Sequence, residues 1–121
     1  MALAKTGLGF PVACAENTTT TLYTNPASTT TYIRSILFHN TTVDNSITIS
    51  LHLIQNNAGS VGTTSDSNKI LRITLDGTDT YFMELAFPIV LTAANDSLRV
   101  VNLNTTTNDI VTAQLLGDKE A

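Results

Sequence analysis

The sequence is short of charge, and of positive charge in particular. Charged residues make up 13% of the 121 residues, and the net charge is −4 with six Lys and Arg in total. These six stand singly along the chain, whereas binding to nucleic acid or to an anionic membrane surface needs clustered basic residues. No run reaches the roughly 18 apolar residues of a membrane-spanning helix. The sequence therefore predicts no nucleic-acid partner and no membrane partner.

Cysteine, histidine and tryptophan are also scarce: there is one cysteine, two histidines and no tryptophan. Cys14 is without an internal disulfide partner, and its ordinary interpretation is a small, partly buried apolar residue. A zinc site needs about four converging ligands. If the chain turns near Val43, the rings of His39 and His52 lie roughly 14–17 Å apart along one sheet. We therefore expect no metal site and no cofactor, and we expect each histidine to form hydrogen bonds at a rim or between subunits.

Three short motifs resemble functional signatures without completing them. The segment 59–62, Gly-Ser-Val-Gly, has Ala58 where the G-x-S-x-G nucleophile turn needs glycine. The segment 7–9, Gly-Leu-Gly, lacks the third glycine and the helix of a dinucleotide-binding loop. Asp76 and Asp79 flank a tight turn without the dense ligand spacing of a calcium loop, which favours a solvated turn. The sequence predicts no catalytic, cofactor-binding or metal-binding residue, and it predicts a protein that is not an enzyme.

The N-terminal segment loosely resembles a signal peptide, with an Ala-Cys-Ala sequence just before Glu16. Gly7, Gly9 and Pro11 interrupt the apolar run that a signal sequence keeps continuous. We therefore expect residues 1–9 to form a retained N-terminal arm. A short edge strand is predicted from Phe10 to Ala15, because Pro11 cannot donate a hydrogen bond to a central ladder.

Threonine, asparagine and serine fill the space that charge leaves, and they alternate with apolar residues over several segments. The longest is 30–54. Ile47, Ile49, Leu51 and Leu53 fall on one face of its second half, opposite Thr48, Ser50 and His52. This alternation predicts two long β-strands joined by the polar turn 40–45, and so a hairpin at the centre of a sheet. A second hairpin is predicted from strands at 69–75 and 81–87 around Asp76-Gly77.

About eight short strands, with turn signals every 8–12 residues, predict an all-β fold. Helical periodicity is missing, so parallel crossovers are not expected, and the sheets should be antiparallel. The fold class is therefore an antiparallel β-sandwich in one domain over 1–121, with either jelly-roll or immunoglobulin-like topology. The irregular loop from Asn56 to Asn68 and the arm over 1–9 are the segments expected to reach a neighbouring subunit.

Several local motifs follow one another in a characteristic order. A Leu-Tyr-x-x-Pro segment precedes a long strand that ends in Asn-Thr, and Pro-Ile-x-Leu with Asp-Ser-Leu-Arg-Val precedes the last two strands. The residues are Leu22, Tyr23 and Pro26; Asn40 and Thr41; Pro88, Ile89 and Leu91; and the segment 96–100. Over about 18–117 this order resembles small virion proteins of tailed bacteriophages.

That resemblance implies a non-enzymatic structural protein of the virion. It favours a capsid decoration (cement) protein on the outer capsid surface that stabilises the shell through its interfaces. The implied partners are the major capsid protein or other virion proteins, and further copies of the chain as a homo-oligomer, with a trimer expected. A neck, tail or tail-fibre component is the first alternative. The second is a secreted or surface adhesin-type binding module, for which the indication is the set of N-x-[ST] triplets at Asn17, Asn40, Asn95 and Asn104.

Overall fold

Most segments with alternating polarity are β-strands in the computed structural model, which describes residues 4–8, 11–57 and 60–120. The all-β fold class is therefore confirmed. The strands are β1 (Ala4–Gly7), β2 (Val12–Cys14), β3 (Thr18–Thr24), β4 (Thr30–Asn40), β5 (Ile47–Ile54), β6 (Asn56–Asn57), β7 (Ser60–Val61), β8 (Lys69–Leu75), β9 (Thr80–Leu91), β10 (Ser97–Asn102) and β11 (Val111–Glu120). A short 3-10 turn, η1 (Asp66–Asn68), precedes β8. No helix in the described part of the chain is long and apolar enough to cross a membrane.

The strands form two antiparallel sheets that pack into a sandwich. The first sheet has the order β1-β11-β4-β9, and β2 also pairs with β11. The second sheet has the order β3-β10-β5-β8. Strands β6 and β7 pair only with each other. If β1 and β2 are counted as one broken strand, the sandwich has four strands in each sheet.

The connections identify this sandwich as a jelly roll. From β2 to β5 and again from β8 to β11, each strand lies in the opposite sheet from the strand before it. Strands β5 and β8 pair within one sheet, and the separate β6–β7 pair lies in the connection between them. Two nested Greek keys of this kind define the jelly roll, whereas the immunoglobulin sheets keep sequential hairpins within a sheet.

Both hairpins predicted from the sequence are wrong. Strand β4 pairs with β11 and β9 in the first sheet, while β5 pairs with β10 and β8 in the second. Strands β8 and β9, on either side of Asp76-Gly77, also lie in different sheets. Alternation identifies which face of a strand is buried, and it does not identify the partner strand. The turns are therefore arches from one sheet to the other.

The core lies between the sheets and is aliphatic. Its buried members include Cys14, Ile33, Ile36, Phe38, Ile47, Ile49, Leu51, Leu91, Leu98, Val100, Val111 and Leu115. Of the four residues predicted for one face of β5, Ile47, Ile49 and Leu51 are buried and Leu53 is partly buried. Burying such side chains contributes about 1.5–3 kcal/mol each and is the main stabilisation of the fold.

The described part of the predicted arm belongs to the first sheet. Ala4 to Gly7 pair with Lys119 to Leu116 of the same chain. The Leu8 N–H donates to the Leu115 carbonyl at 3.1 Å, and the Leu8 side chain is buried in the core. These residues are therefore not an arm that reaches away from the domain. Residues 1–3 and 9 lie outside the described residues.

Buried asparagines join the loops at the ends of the sandwich. The Asn40 amide donates to the carbonyls of Asn45, Leu75 and Asp76 at 2.8–3.0 Å, which links both inter-sheet arches. Asn25 and Asn102 are also buried, and each amide donates to two backbone carbonyls. Loop backbone groups that no strand pairs must find other partners, and this requirement accounts for part of the high asparagine content.

The long loop from Asn56 to Asn68 is more ordered than the sequence predicts. It contains the β6–β7 pair and the turn η1. The Asn56 N–H donates to Asp96 Oδ1 at 2.7 Å, and Asn68 Oδ1 bonds to His52 Nδ1 at 2.7 Å. The loop is therefore attached to its own domain at both ends. Ala58 and Gly59 lie outside the described residues.

Candidate assembly surface

The two outer faces of the sandwich differ in chemistry. The outer face of the second sheet is mostly polar, as is usual for the exposed side of a sandwich, and Ile70 and Val101 are its apolar members. For example, Thr48 Oγ1 and Thr74 Oγ1 of neighbouring strands share a hydrogen bond of 2.8 Å. The other outward residues on β5, β8 and β10 include Ser50, His52, Arg72 and Arg99.

The outer face of the first sheet carries large apolar side chains instead. Leu37 of β4 pairs with Phe82 of β9, and Tyr32 pairs with Val90. Leu116 of β11 pairs with Ser35, diagonally next to Leu37. Phe82 is 56% exposed, Leu116 43% and Val90 42%. We call Leu37, Phe82, Phe87, Val90 and Leu116 the apolar face.

Phe87 stands in a bulge of β9, the edge strand of this sheet. Ser35 of β4 pairs with Glu84, and Ile33 pairs with Ile89, so residues 85–88 of β9 lie opposite Arg34 alone. Extra residues of this kind are pushed out of the ladder. Phe87 is accordingly 87% exposed, the highest value among the large apolar residues that the structure describes.

Strand β9 is also the last strand of its sheet, which explains how Pro88 is accommodated. A proline without an N–H is tolerated on an edge strand or in a bulge, and both features protect a free edge from pairing with another strand. The β9 edge is therefore unsuited to extending the sheet, whereas its outward side chains remain available. The geometry favours packing on the face over strand addition at the edge.

Polar groups border the apolar face at the β11 side. Arg34 Nε donates to Asp118 Oδ2, and Asp118 is buried. The guanidinium of Arg34 also lies over the ring of Tyr32, 5.9 Å from its centre. An aromatic and aliphatic patch with an arginine beside it is the usual composition of the centre of a protein–protein interface.

The two histidines lie in different sheets. His39 is on β4, where its Nδ1 bonds to Thr80 Oγ1 at 2.8 Å. His52 is on β5, buried, and bonds to Ser50 and Asn68. The prediction that they sit along one sheet is wrong, because it depended on the β4–β5 hairpin. Within the described ranges, no group of three or more His, Cys, Asp or Glu residues is placed to hold a metal ion.

Cys14 and Asp76, which the sequence also singled out, both contact neighbouring groups of the fold. Burial raises the pKa of the Cys14 thiol from 9.0 to about 11, although a hydrogen bond with Thr20 opposes the shift. Asp76 accepts a hydrogen bond from Ser46 at 3.0 Å, and its carbonyl accepts from the Asp79 N–H at 3.0 Å. Nothing is described of the Ser60 side chain.

The N-x-[ST] asparagines are engaged in the fold. The Asn40 side chain is buried, with its amide nitrogen between three carbonyls. The Asn104 amide donates to Ser46 O at 2.7 Å and to Asp109 Oδ2 at 2.9 Å. Asn17 and Asn95 have positive φ angles of 52° and 69°, in the left-handed region of backbone conformation that asparagine adopts more often than most residues. These positions are explained by turn geometry.

The sequence analysis missed Phe87. Regular alternation places Phe87 with Met83, whereas the bulge releases it from the ladder. The signal that marks the site is Pro88, because a proline inside a long apolar strand indicates an edge position or a bulge. Phe82 was placed on the opposite face from Met83, and the structure shows that this face is the outer one.

The sequence matches no protein-family model and no curated protein. The structure is similar to viral chains. A chain of infectious bursal disease virus, Gx strain, matches 98% of this chain with 18% identity and a TM-score of 0.52. A chain of the Gt strain has 11% identity and a TM-score of 0.39. A VP2 protein of that virus, in derived T=1 particles, has 13% identity and a TM-score of 0.40. This chain spans 32%, 32% and 30% of these three chains respectively. The Gx-strain match shows a shared fold.

Proposed function

We propose that this chain is a structural subunit of a virus particle that packs its apolar face against neighbouring virion subunits. The observation that carries the proposal is the outward pairing of Phe82 with Leu37 on one face of the sandwich, with Leu116 and Phe87 also exposed. Exposed apolar clusters with a polar rim mark protein–protein contacts. The shared fold with a chain of infectious bursal disease virus supports a role in a particle.

The low charge of the chain agrees with permanent assembly. A free soluble protein uses surface charge to resist association, and charged residues make up only 13% of this chain. Phe82 and Phe87 are aromatic, and aromatic residues supply most of the binding energy where they fill a pocket of the partner. Their burial in an interface would remove the apolar surface that the isolated sandwich exposes.

Within this role we propose a capsid decoration (cement) protein of a tailed bacteriophage, on the outer capsid surface. The motif order from Leu22 to the segment 96–100 supports this form. Its partners would be the major capsid protein and further copies of the chain, with a trimer as the proposed homo-oligomer. A neck, tail or tail-fibre component is the alternative with the same surface chemistry, and it would pack the same face against different virion subunits.

The test is the solution mass of the purified chain by light scattering over a range of concentrations. We expect a defined oligomer for the natural sequence and a monomer for the double variant Phe82→Ser, Phe87→Ser. Val43→Ser is the matched control, since Val43 is 75% exposed but lies in the arch between β4 and β5. A natural sequence that stays monomeric at about 100 μM would contradict the homo-oligomer. An oligomer that survives the double variant would contradict the apolar face as its interface.

A further inference from the structure

Ser50, His52 and Asn68 form a chain of hydrogen bonds on the outer face of the second sheet. Ser50 Oγ lies 2.8 Å from His52 Nε2, and His52 Nδ1 lies 2.7 Å from Asn68 Oδ1. Ser50 and His52 are two positions apart on β5, so their side chains leave the sheet on the same side. Asn68 comes from η1, at the end of the long loop. The residues Ser50 and His52 are only 2% and 3% exposed.

The hydrogen bonds of Asn68 determine which ring nitrogen of His52 carries the proton. The Asn68 amide nitrogen donates to Thr63 O at 2.7 Å, and its oxygen accepts from the Ser65 N–H at 3.0 Å. These two bonds orient the amide so that an oxygen faces His52 Nδ1. An amide oxygen only accepts hydrogen bonds, so Nδ1 must carry the proton. In the neutral ring Nε2 is then an acceptor, and the Ser50 hydroxyl donates to it.

This is the arrangement that activates a serine. A nucleophile bonded to a base, with the base oriented by a third group, is the general signature of covalent catalysis, and asparagine fills the third place in Cys-His-Asn proteases. The order along this chain, with serine and histidine on one strand, follows no known motif. The geometry alone identifies it.

A shallow, open cavity of about 200 Å³ lies beside these residues. Ser50 and His52 line it together with Lys69, Asp66, Val101 and Leu103. The last two belong to β10 and its end and supply apolar surface. Lys69 pairs with His52 in the β5–β8 register and therefore extends from the same face. The volume suits a small molecule with a short acyl chain.

Lys69 is the positive charge of this cavity. Its ammonium contacts Asp66 Oδ1 at 2.9 Å, and the Asp66 side chain is 98% exposed. Exposed ion pairs of this kind contribute little to stability. The ammonium can therefore turn from Asp66 toward an oxygen that becomes negative in the cavity, which is the electrostatic stabilisation that acyl transfer needs.

We propose that Ser50 is a nucleophile that small esters acylate, with His52 as its base and Asn68 as the positioning residue. Ser50 Oγ bonds to the ester carbonyl carbon while its proton passes to His52 Nε2. The carbon–oxygen bond to the alcohol breaks, and the alcohol oxygen takes the proton from His52. Water, deprotonated by His52, then hydrolyses the acyl-serine and restores the hydroxyl. This chemistry departs from the sequence prediction that the chain is not an enzyme. It does not depend on a role in a particle, because the apolar face lies on the other sheet.

The test is covalent labelling of the folded full chain with a fluorophosphonate, followed by intact mass and peptide mapping. Ser50 Oγ would bond to phosphorus as fluoride leaves and the proton moves to His52. We expect one adduct, on Ser50, and none on the chain unfolded in urea. Acetyl-Ser50 should also form from p-nitrophenyl acetate. Absence of an adduct on the folded natural sequence, or an adduct elsewhere only, would overturn the proposal without any variant.

Variants separate the three roles. Ser50→Ala should abolish labelling, while Thr48→Ala, which removes a hydroxyl two positions earlier on the same face of β5, should leave the rate unchanged. His52→Gln should slow labelling by at least about 100-fold, as loss of a general base does. Asn68→Ala should slow it as well, and Asn68→Asp should restore it because a carboxylate oxygen also accepts from Nδ1. A folded His52→Gln variant that labels at the natural rate would show that Ser50 is not activated by this network.

Discussion

Leu37 on β4 lies directly opposite Phe82 on β9, and both side chains leave the sandwich on its outer side. Leu37 lies between Ile36 and Phe38 in the sequence, and both are fully buried, so the Leu37 side chain points outward. A cross-strand pair of an aromatic and an aliphatic residue stabilises a sheet where it stands. Here 56% of the Phe82 surface also remains exposed outside the pair. The same contact therefore serves the domain and the proposed interface.

Phe82 and Phe38 should differ sharply in their effect on the stability of the isolated chain. Phe82→Ser is expected to change the free energy of unfolding by about 1 kcal/mol or less, because the residue is mostly exposed. Phe38→Ala should cost about 3–5 kcal/mol, because it leaves a cavity in the core. Urea denaturation at low protein concentration, where association is negligible, measures both. An equal cost for the two variants would mean that Phe82 belongs to the core.

Gly117 should be intolerant of even a methyl group. The register of β11 against β4 shifts between Leu116 and Gly117, and a Cβ placed on Gly117 would lie 2.0 Å from the Tyr32 carbonyl oxygen. Gly117→Ala must displace backbone, and we expect a loss of roughly 2–4 kcal/mol. Gly62→Ala is the control, since its Cβ would meet only Ile54 Cγ2 at 3.7 Å. Thermal unfolding of the two variants should separate them, and similar melting temperatures would contradict the close approach.

Asn40→Asp should destabilise the chain strongly. The substitution replaces an amide that donates to the carbonyls of Asn45, Leu75 and Asp76 by a carboxylate that can only accept. A buried charge facing carbonyl oxygens is expected to cost several kcal/mol, about 3–5. The same change at Asn108, an exposed turn residue with φ 69°, should have a small effect. Chemical denaturation of the two Asn→Asp variants measures the contrast, and equal midpoints would contradict the role of Asn40.

The Cys14 thiol should make stability fall in alkaline solution. Burial raises its pKa from 9.0 to about 11, so between these values the unfolded chain ionises while the folded chain does not. The stabilisation is complete below pH 9, and it is lost as the pH rises through about 11, by up to roughly 3 kcal/mol. Urea denaturation between pH 8 and pH 11 measures the loss, and Cys14→Ala should lack this component. An equal decline in both proteins would assign the effect to other groups.

Native Cys14 should also resist thiol reagents. The thiolate is the reactive form, and a buried thiol with a raised pKa forms little of it at pH 8. We expect iodoacetamide to modify the chain only after it is unfolded in urea. Rapid modification of the folded chain at pH 8, followed by intact mass, would contradict the burial of Cys14.

Local pattern was sufficient to predict most of the strands, although β1 was predicted as part of an arm and β6 and β7 as part of an irregular loop. In β5 the alternation of Ile47, Ile49 and Leu51 with Thr48 and Ser50 identified both the strand and its buried face. The turn residues identified where strands end. Pairing could not be predicted in this way, because Asn40–Ser46 and Asp76–Asp79 are as compatible with an arch between sheets as with a hairpin. The choice depends on Asn40, whose amide joins both arches across 35 and 36 residues of chain.

The sequence by itself determined the composition of the molecule: a low-charge, all-β chain with alternating apolar residues that must bury one face. Only the tertiary structure decided what the remaining side chains meet. The four residues of β9 that bulge opposite Arg34 release Phe87 to the surface. The loop that returns over the second sheet brings Asn68 to His52, 16 residues earlier. Periodicity describes a strand relative to its own axis. These contacts depend instead on where distant segments of the chain lie. Packing and hydrogen bonding across the whole domain determine those positions.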